Sequence, residues 1–325
     1  MTKVVAVVGG GVMGCAAAWA LAERGADVTI YEQFDPEHTR GSSHGRTRIF
    51  RLAYPEPYWV ELAEEALAGW RELEQRTGRP LLALHGLIEL CTRVEVTSSD
   101  VLAARGIEHR LLTRDELGAR RVEMPDGWVA LWQPDGGVVL ADDARHAFLA
   151  AAEPQWETPH RVESLDDLDA DVVVVTAGPW ITKLIPDLPL TVTRETVAYY
   201  ARGGPPMPSV VELNDETRHH AMYALHDPQY GMKVGAHRGG HVADPAVEEP
   251  ADPALVDRIS GWVRERFPDV EPTPVATESC LYTSTEDESF VLERRGRLVV
   301  GSACSGHGFK FAPAVGRRLA ELALG

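Results

Sequence analysis

VVAVVGGGVMGCAAAWALAERGADVTIYE, residues 4–32, decides the fold. Val4 to Val8 is a short all-apolar run rich in β-branched residues, the pattern of a strand covered on both faces. Gly9-Gly10-Gly11-Val12-Met13-Gly14 follows, and Cys15 to Arg24 reads as a helix stopped by Gly25. Val28 to Glu32 reads as a second strand. In Gly9-x-Gly11-x-x-Gly14 each glycine has its own task. Gly9 permits the tight turn, Gly11 lets backbone approach a pyrophosphate, and Gly14 allows close helix–strand packing, while the helix N-terminus supplies partial positive charge. Val12 and Met13 share that turn and count with the cofactor-binding residues. Glu32, ending the second strand, is placed to bind the ribose hydroxyls of an adenosine. The unit predicts a doubly wound dinucleotide-binding domain; the motif alone does not choose between FAD and NAD.

Further along, Tyr58 to Thr77 brings Leu62, Ala66, Trp70 and Leu73 near one helical face. Gly86 to Leu90 reads as a strand and Asp142 to Ala152 as a helix. Val172 to Val175 is another buried strand and ends in Thr176-Ala177-Gly178. From about Pro186 to Glu278, β-like segments alternate with Gly/Pro turns around one helix, Pro253 to Arg266. Leu298 to Gly301 is a last core strand before a terminal helix. Nucleotide-fold strands thus occur at the start, middle and end. The expected architecture is α/β plus α+β: a Rossmann-like dinucleotide-binding domain from residues 1–78, 128–185 and 283–325, and a mainly antiparallel β substrate domain from 79–127 and 186–282.

Composition narrows the class. With 32 Lys+Arg against 49 Asp+Glu the net charge is −17, which argues against nucleic acid and anionic membrane surfaces as partners. No apolar run approaches the ~18 residues of a membrane-spanning helix. Cys15, Cys91, Cys280 and Cys304 are scattered without a CxxC or disulfide spacing, so a reducing cytoplasm is the expected compartment. His237 and His241 stand four apart, but Gly239 and Gly240 between them spoil helical geometry and no third ligand is evident, so no metal is expected. His219 and His220 adjoin without further signal.

Gly41-Ser42-Ser43-His44-Gly45-Arg46-Thr47-Arg48-Ile49-Phe50-Arg51 resembles the segment after the second strand in the monomeric sarcosine oxidase and N-methyltryptophan oxidase family. Gly231-Met232-Lys233-Val234-Gly235-Ala236-His237 resembles that family's GLKLGYH segment. Cys280-Leu281-Tyr282-Thr283 resembles its segment around the flavin-linking cysteine, and Ser305-Gly306-His307-Gly308-Phe309-Lys310-Phe311 matches its SGHGFKF motif. The four occur in family order and span nearly the whole chain. Ala177 and Gly178 resemble the end of the second nucleotide-contacting strand in FAD-dependent amine and amino-acid oxidoreductases; by itself that run is equally another core strand.

The resemblance implies FAD, linked through the sulfur of Cys280 to the 8α-methyl carbon; read alone, Cys280 is as readily a buried structural thiol. It implies that Arg51 and Lys310 hold a substrate carboxylate, a planar fork and a point charge, with a structural ion pair as the alternative for Arg51. Arg48 matches an arginine close to the flavin, beside Ser42 and His44. Lys233 matches the lysine that promotes reaction with oxygen, although strand alternation lets it point either way. His237, Tyr282 and Tyr223 match pocket residues, and Gly306, His307 and Gly308 are expected against the flavin, their glycines letting backbone amides approach its pyrimidine carbonyls. The implied reaction is oxidation of an amino acid, a secondary or cyclic amine, by hydride transfer to flavin N5 with O2 giving H2O2. The alternative is a biosynthetic dehydrogenase or desaturase handing electrons to another acceptor. The chain departs from the family in a short turn between Val162 and Asp171 and a compressed tract from Ile185 to Tyr230, which bears on the pocket wall and so on substrate identity.

Overall fold

A computed structural model describes residues 2–93, 98–213 and 222–325. His219 and His220 lie outside the described residues.

The first sheet has six strands in the order Val291–Arg295, Leu298–Ser302, Val172–Val175, Val4–Val8, Asp27–Tyr31, Gln155–Glu157. All neighbours run parallel except the Val291–Arg295 hairpin partner at one edge. Val5 to Val8 and Val172 to Val175 are buried on both faces, as their unbroken apolar sequences require. The helix Val12–Glu23 is buried on nearly every side, packed against the sheet and against helices Ala141–Ala152 and Ala312–Leu324. Its alanines make this possible, because a helix enclosed all round must be apolar all round and thin enough for its neighbours. The expected face of the Pro57–Thr77 helix, Leu62, Ala66, Trp70 and Leu73, is fully buried in the same core.

Among the described residues the second sheet has nine strands. Eight follow in the order His241–Val242, Thr191–Ala201, Gly231–Ala236, Met222–Asp227, Ser209–Glu212, Leu87–Cys91, Val129–Gln133 and Arg110–Leu111, while Ala276–Ser284 pairs along the long Thr191–Ala201 strand. Apart from the parallel contact of Ser209–Glu212 with Leu87–Cys91, its pairings are antiparallel. Helix Pro253–Arg266 packs on it, burying Ile259, Trp262 and Val263 with Met232 and Val234. The expected nucleotide-binding segment 128–185 opens with Val129–Gln133, a strand that pairs with Leu87–Cys91 in this second sheet. Strand membership is set by a partner some 40 positions away in sequence, which local pattern does not reveal. A small three-stranded sheet of Thr47–Phe50, Gly137–Leu140 and Leu82–Ala83 joins the two parts.

Candidate active site

At the end of the first strand, Gly9 adopts φ +104° and a Cβ there would lie 2.6 Å from the Thr176 carbonyl oxygen. A Cβ at Gly14 would come within 1.9 Å of the Gly9 carbonyl oxygen, so turn, helix and strand close only without side chains at both positions. The Glu32 carboxylate accepts from Gly10 N–H at 2.8 Å and Phe34 N–H at 3.0 Å, with His38 Nε2 at 3.6 Å. Burial pushes that carboxyl up, and these donors outweigh it and hold it below the usual carboxylate range. The Val12 N–H donates to Ser43 Oγ at 3.0 Å, a partner not expected from the sequence. Ser42 donates to the Leu281 carbonyl, tying the loop after the second strand to the cysteine segment.

Arg48 is anchored on backbone. Its guanidinium donates to Thr47 O at 2.9 Å, Ser42 O at 2.9 Å and His44 O at 2.5 Å, and stacks over Phe309. Lys233 points inward and is 5% exposed, its ammonium donating to Thr47 O at 3.4 Å. Burial, then the Arg48 charge, lowers its pKa to about 7. Strand alternation had left that direction open; the register of Lys233 opposite Tyr199 and Leu225 puts it on the cavity side. Cys280 also lines the cavity. Burial raises its thiol pKa while Arg48 and Lys233 pull it down. His44 Nδ1 is buried without a hydrogen-bond partner among the described residues.

At the other end stands a cationic pair. Lys310 is 1% exposed and donates to Tyr54 OH at 2.9 Å and His307 O at 2.8 Å. Burial and the Arg51 charge push its pKa well down. Arg51 stacks on the same Tyr54 ring, its Cζ 4.2 Å from the centroid, and its Nη1 lies 3.9 Å from Glu89 Oε2. The structural ion pair considered for Arg51 therefore exists, and Arg51 lines the cavity as well. Tyr54 carried no motif; only its place between two cations marks it.

His307 is enclosed by Trp59, Phe290 and Phe311, and its Nε2 lies 3.0 Å from Glu288 O. Burial and Lys310 lower its pKa to about 3, which keeps the imidazole neutral. The amides of His307 and Gly308 do not face a ligand as expected: both donate to Cys304 O, at 2.9 and 2.8 Å. Gly306 is required instead because a Cβ there would meet Tyr282 at 2.4 Å and His237 at 2.5 Å. His237 Nε2 lies 3.4 Å from Glu288 Oε2, a carboxylate also held by Arg238 at 2.9 Å. Tyr223 and Tyr282 are hydrogen-bonded to one another, and burial raises both phenols.

These groups line one cavity of about 840 Å³. It runs from Glu32 past Gly9–Met13, Ala177 and Gly178 to Cys280, Lys233, Arg51 and Lys310. That size lies in the upper part of the range for small-molecule and cofactor sites. The glycine cradle, the Glu32 carboxylate at the end of the second strand and the partnerless His44 nitrogen fit a bound FAD. A family model described as FAD dependent oxidoreductase matches residues 5–322. The chain belongs to this family. This FAD-dependent oxidoreductase is 33% identical to a human peroxisomal sarcosine oxidase, over 98% of this chain and 91% of that protein. It is 29% identical to a monomeric sarcosine oxidase of a Bacillus species, over 98% and 92%. Among solved structures it is similar to NikD, described as an unusual amino acid oxidase essential for nikkomycin biosynthesis, with a TM-score of 0.85, 26% identity, and 99% and 94% of the chains covered. Among the described residues no helix is long and apolar enough to cross a membrane.

Proposed function

We propose that this enzyme oxidises an amino acid that is a secondary or cyclic amine, at its CH–NH bond, with O2 as the final electron acceptor. The observation that carries the reading is the pairing of buried Lys310 with partly exposed Arg51, both meeting on Tyr54 in a cavity that also holds a dinucleotide cradle. Two relatives named sarcosine oxidase and one named N-methyl-L-tryptophan oxidase support the substrate class.

Held by the Gly9–Gly14 turn and Glu32, FAD would supply a hydride acceptor for the amine and, with O2, a route to H2O2. The chain's own residues do the rest. Arg51 offers a planar fork to the carboxylate and Lys310, buried beside it, a point charge. Holding one end of a small substrate fixes the approach of its α-carbon, and such orientation is a large source of rate. Neutral His307 packs beside Lys310 and adds no competing charge. Lys233, buried near Arg48 on another wall, supports oxygen reduction by stabilising negative charge that develops on O2. Cys280 lines the cavity within reach of the Arg48 and Lys233 charges, which partly offset the burial that raises its thiol pKa, and it is the residue that would carry a covalent flavin link.

The test is an anaerobic screen of the yellow holoenzyme with N-methyl and cyclic amino acids and their primary counterparts. Bleaching of visible absorbance by the secondary amines, then one H2O2 per substrate on admitting air, is expected. Bleaching without peroxide would transfer the enzyme to the dehydrogenase reading, and no bleaching with any carboxylate-bearing amine would remove the proposal.

A further inference from the structure

Glu89 is the only carboxylate, among the described residues, within ion-pair distance of Arg51. It lies in the middle of Leu87–Cys91, a strand buried at every position, and is itself wholly inaccessible. Its register neighbours are Leu131 and Val211, and Val211 lines the cavity. Side chains in register on adjacent strands share a face, so the carboxylate stands on the cavity side of the sheet, behind Arg51. It is held there by the Ser98 N–H at 3.0 Å and the Ser98 hydroxyl at 3.1 Å. A buried carboxylate costs more than an apolar residue of similar volume in such a strand, so the fold gains nothing obvious in stability from keeping it. Of the acids lining the cavity near Tyr54, Glu288 is engaged by His237 and Arg238.

We propose that Glu89 is a specificity-determining counter-charge: it shares the Arg51 guanidinium with the incoming carboxylate and thereby sets how tightly the site holds an anion. This rests on the reading of Arg51 and Lys310 as the carboxylate clamp. Without Glu89, the Arg51 guanidinium would have no carboxylate within ion-pair distance among the described residues, while Lys310 shares its Tyr54 ring. With it, a ligand carboxylate on the cavity edge of the guanidinium faces a second carboxylate across that group, about 8 Å away. At the effective dielectric of protein sites, near 20, like charges at that separation weaken binding by about thirtyfold. The arrangement moderates affinity for anions and favours release of an anionic product, and it disfavours ligands that bring a second negative charge.

The experiment uses the holoenzyme and reads the visible spectrum of its flavin during titration with acetate, with acetamide as the neutral control. Glu89→Gln keeps size and hydrogen-bonding capacity; Glu89→Asp keeps charge; Ser98→Ala withdraws the hydroxyl that favours the ionised acid. Glu89→Gln is expected to tighten acetate about thirtyfold, to leave acetamide within about twofold, and to lower KM for the amino-acid substrate more than it changes kcat. Glu89→Asp should restore the wild-type value, and Ser98→Ala should shift acetate the same way by a smaller factor. Acetate that binds Glu89→Gln no more tightly than wild type, or acetate and acetamide shifting together, overturns the inference. If Glu89→Gln does not fold, the Ser98→Ala titration decides by the same criterion. A wild-type enzyme that does not bind acetate overturns the clamp reading itself, a result separable from the first because it appears before any substitution is made.

Discussion

Replacing Lys233 by methionine removes a charge while keeping the shape of the side chain. The ammonium is 5% exposed, rests on Thr47 O at 3.4 Å and lies 5.8 Å from the Tyr199 ring centroid. In so dry a place a unit charge about 5 Å from oxygen carrying developing negative charge contributes about 3 kcal/mol at an effective dielectric near 20, or about a hundredfold in rate. Its pKa of about 7 makes the effect depend on pH. The lysine is a cation below its pKa and neutral above it, so reoxidation of the reduced enzyme should be fast on the acid side and fall as pH rises. Negative charge on a reduced cofactor would favour the ammonium and move the inflection above about 7. Stopped-flow mixing of photoreduced enzyme with oxygenated buffer from pH 6 to pH 10 measures this directly. The expected result for Lys233→Met is reoxidation about a hundredfold slower and flat with pH, with anaerobic reduction by substrate changed far less. Equal slowing of both half-reactions, or an unchanged pH inflection in the variant, would refute the assignment of Lys233 to oxygen.

Other outcomes follow from the same site. Wild-type protein precipitated in acid should keep its yellow colour in the pellet, whereas Cys280→Ala should release flavin to the supernatant; colour lost equally from both would show that Cys280 is not the attachment point. Lys310→Met deletes a buried charge at the clamp and should lower kcat/KM for carboxylate-bearing amines by about a hundredfold or more, with flavin content preserved; a similar loss for an amine without a carboxylate would point to general damage. Gly14→Ala sets a methyl 1.9 Å from the Gly9 carbonyl oxygen, so the turn must open, and FAD content and thermal midpoint should both fall by clear margins, as expected for overpacking worth about 1–3 kcal/mol. A Gly14→Ala protein purified with full flavin would show that the cradle tolerates that opening.

Much of this protein is legible in order along the chain. The glycine turn, the valine-rich strands and the alanine-rich helix are local instructions, since backbone freedom, β-branching and side-chain size act within a few residues. The four motifs named the family because each is a short run whose order survives without knowledge of contacts. Tertiary structure alone decided the rest. It turned Lys233 inward, which a two-residue alternation leaves undetermined, and it moved Val129–Gln133 into the second sheet through pairing with Leu87–Cys91. It also set Glu89 behind Arg51 and closed Tyr54 between Arg51 and Lys310, residues 256 positions apart in the Tyr54–Lys310 bond. Charge state, burial and partner are properties of the space around a side chain, and that space is built from segments the sequence keeps far apart.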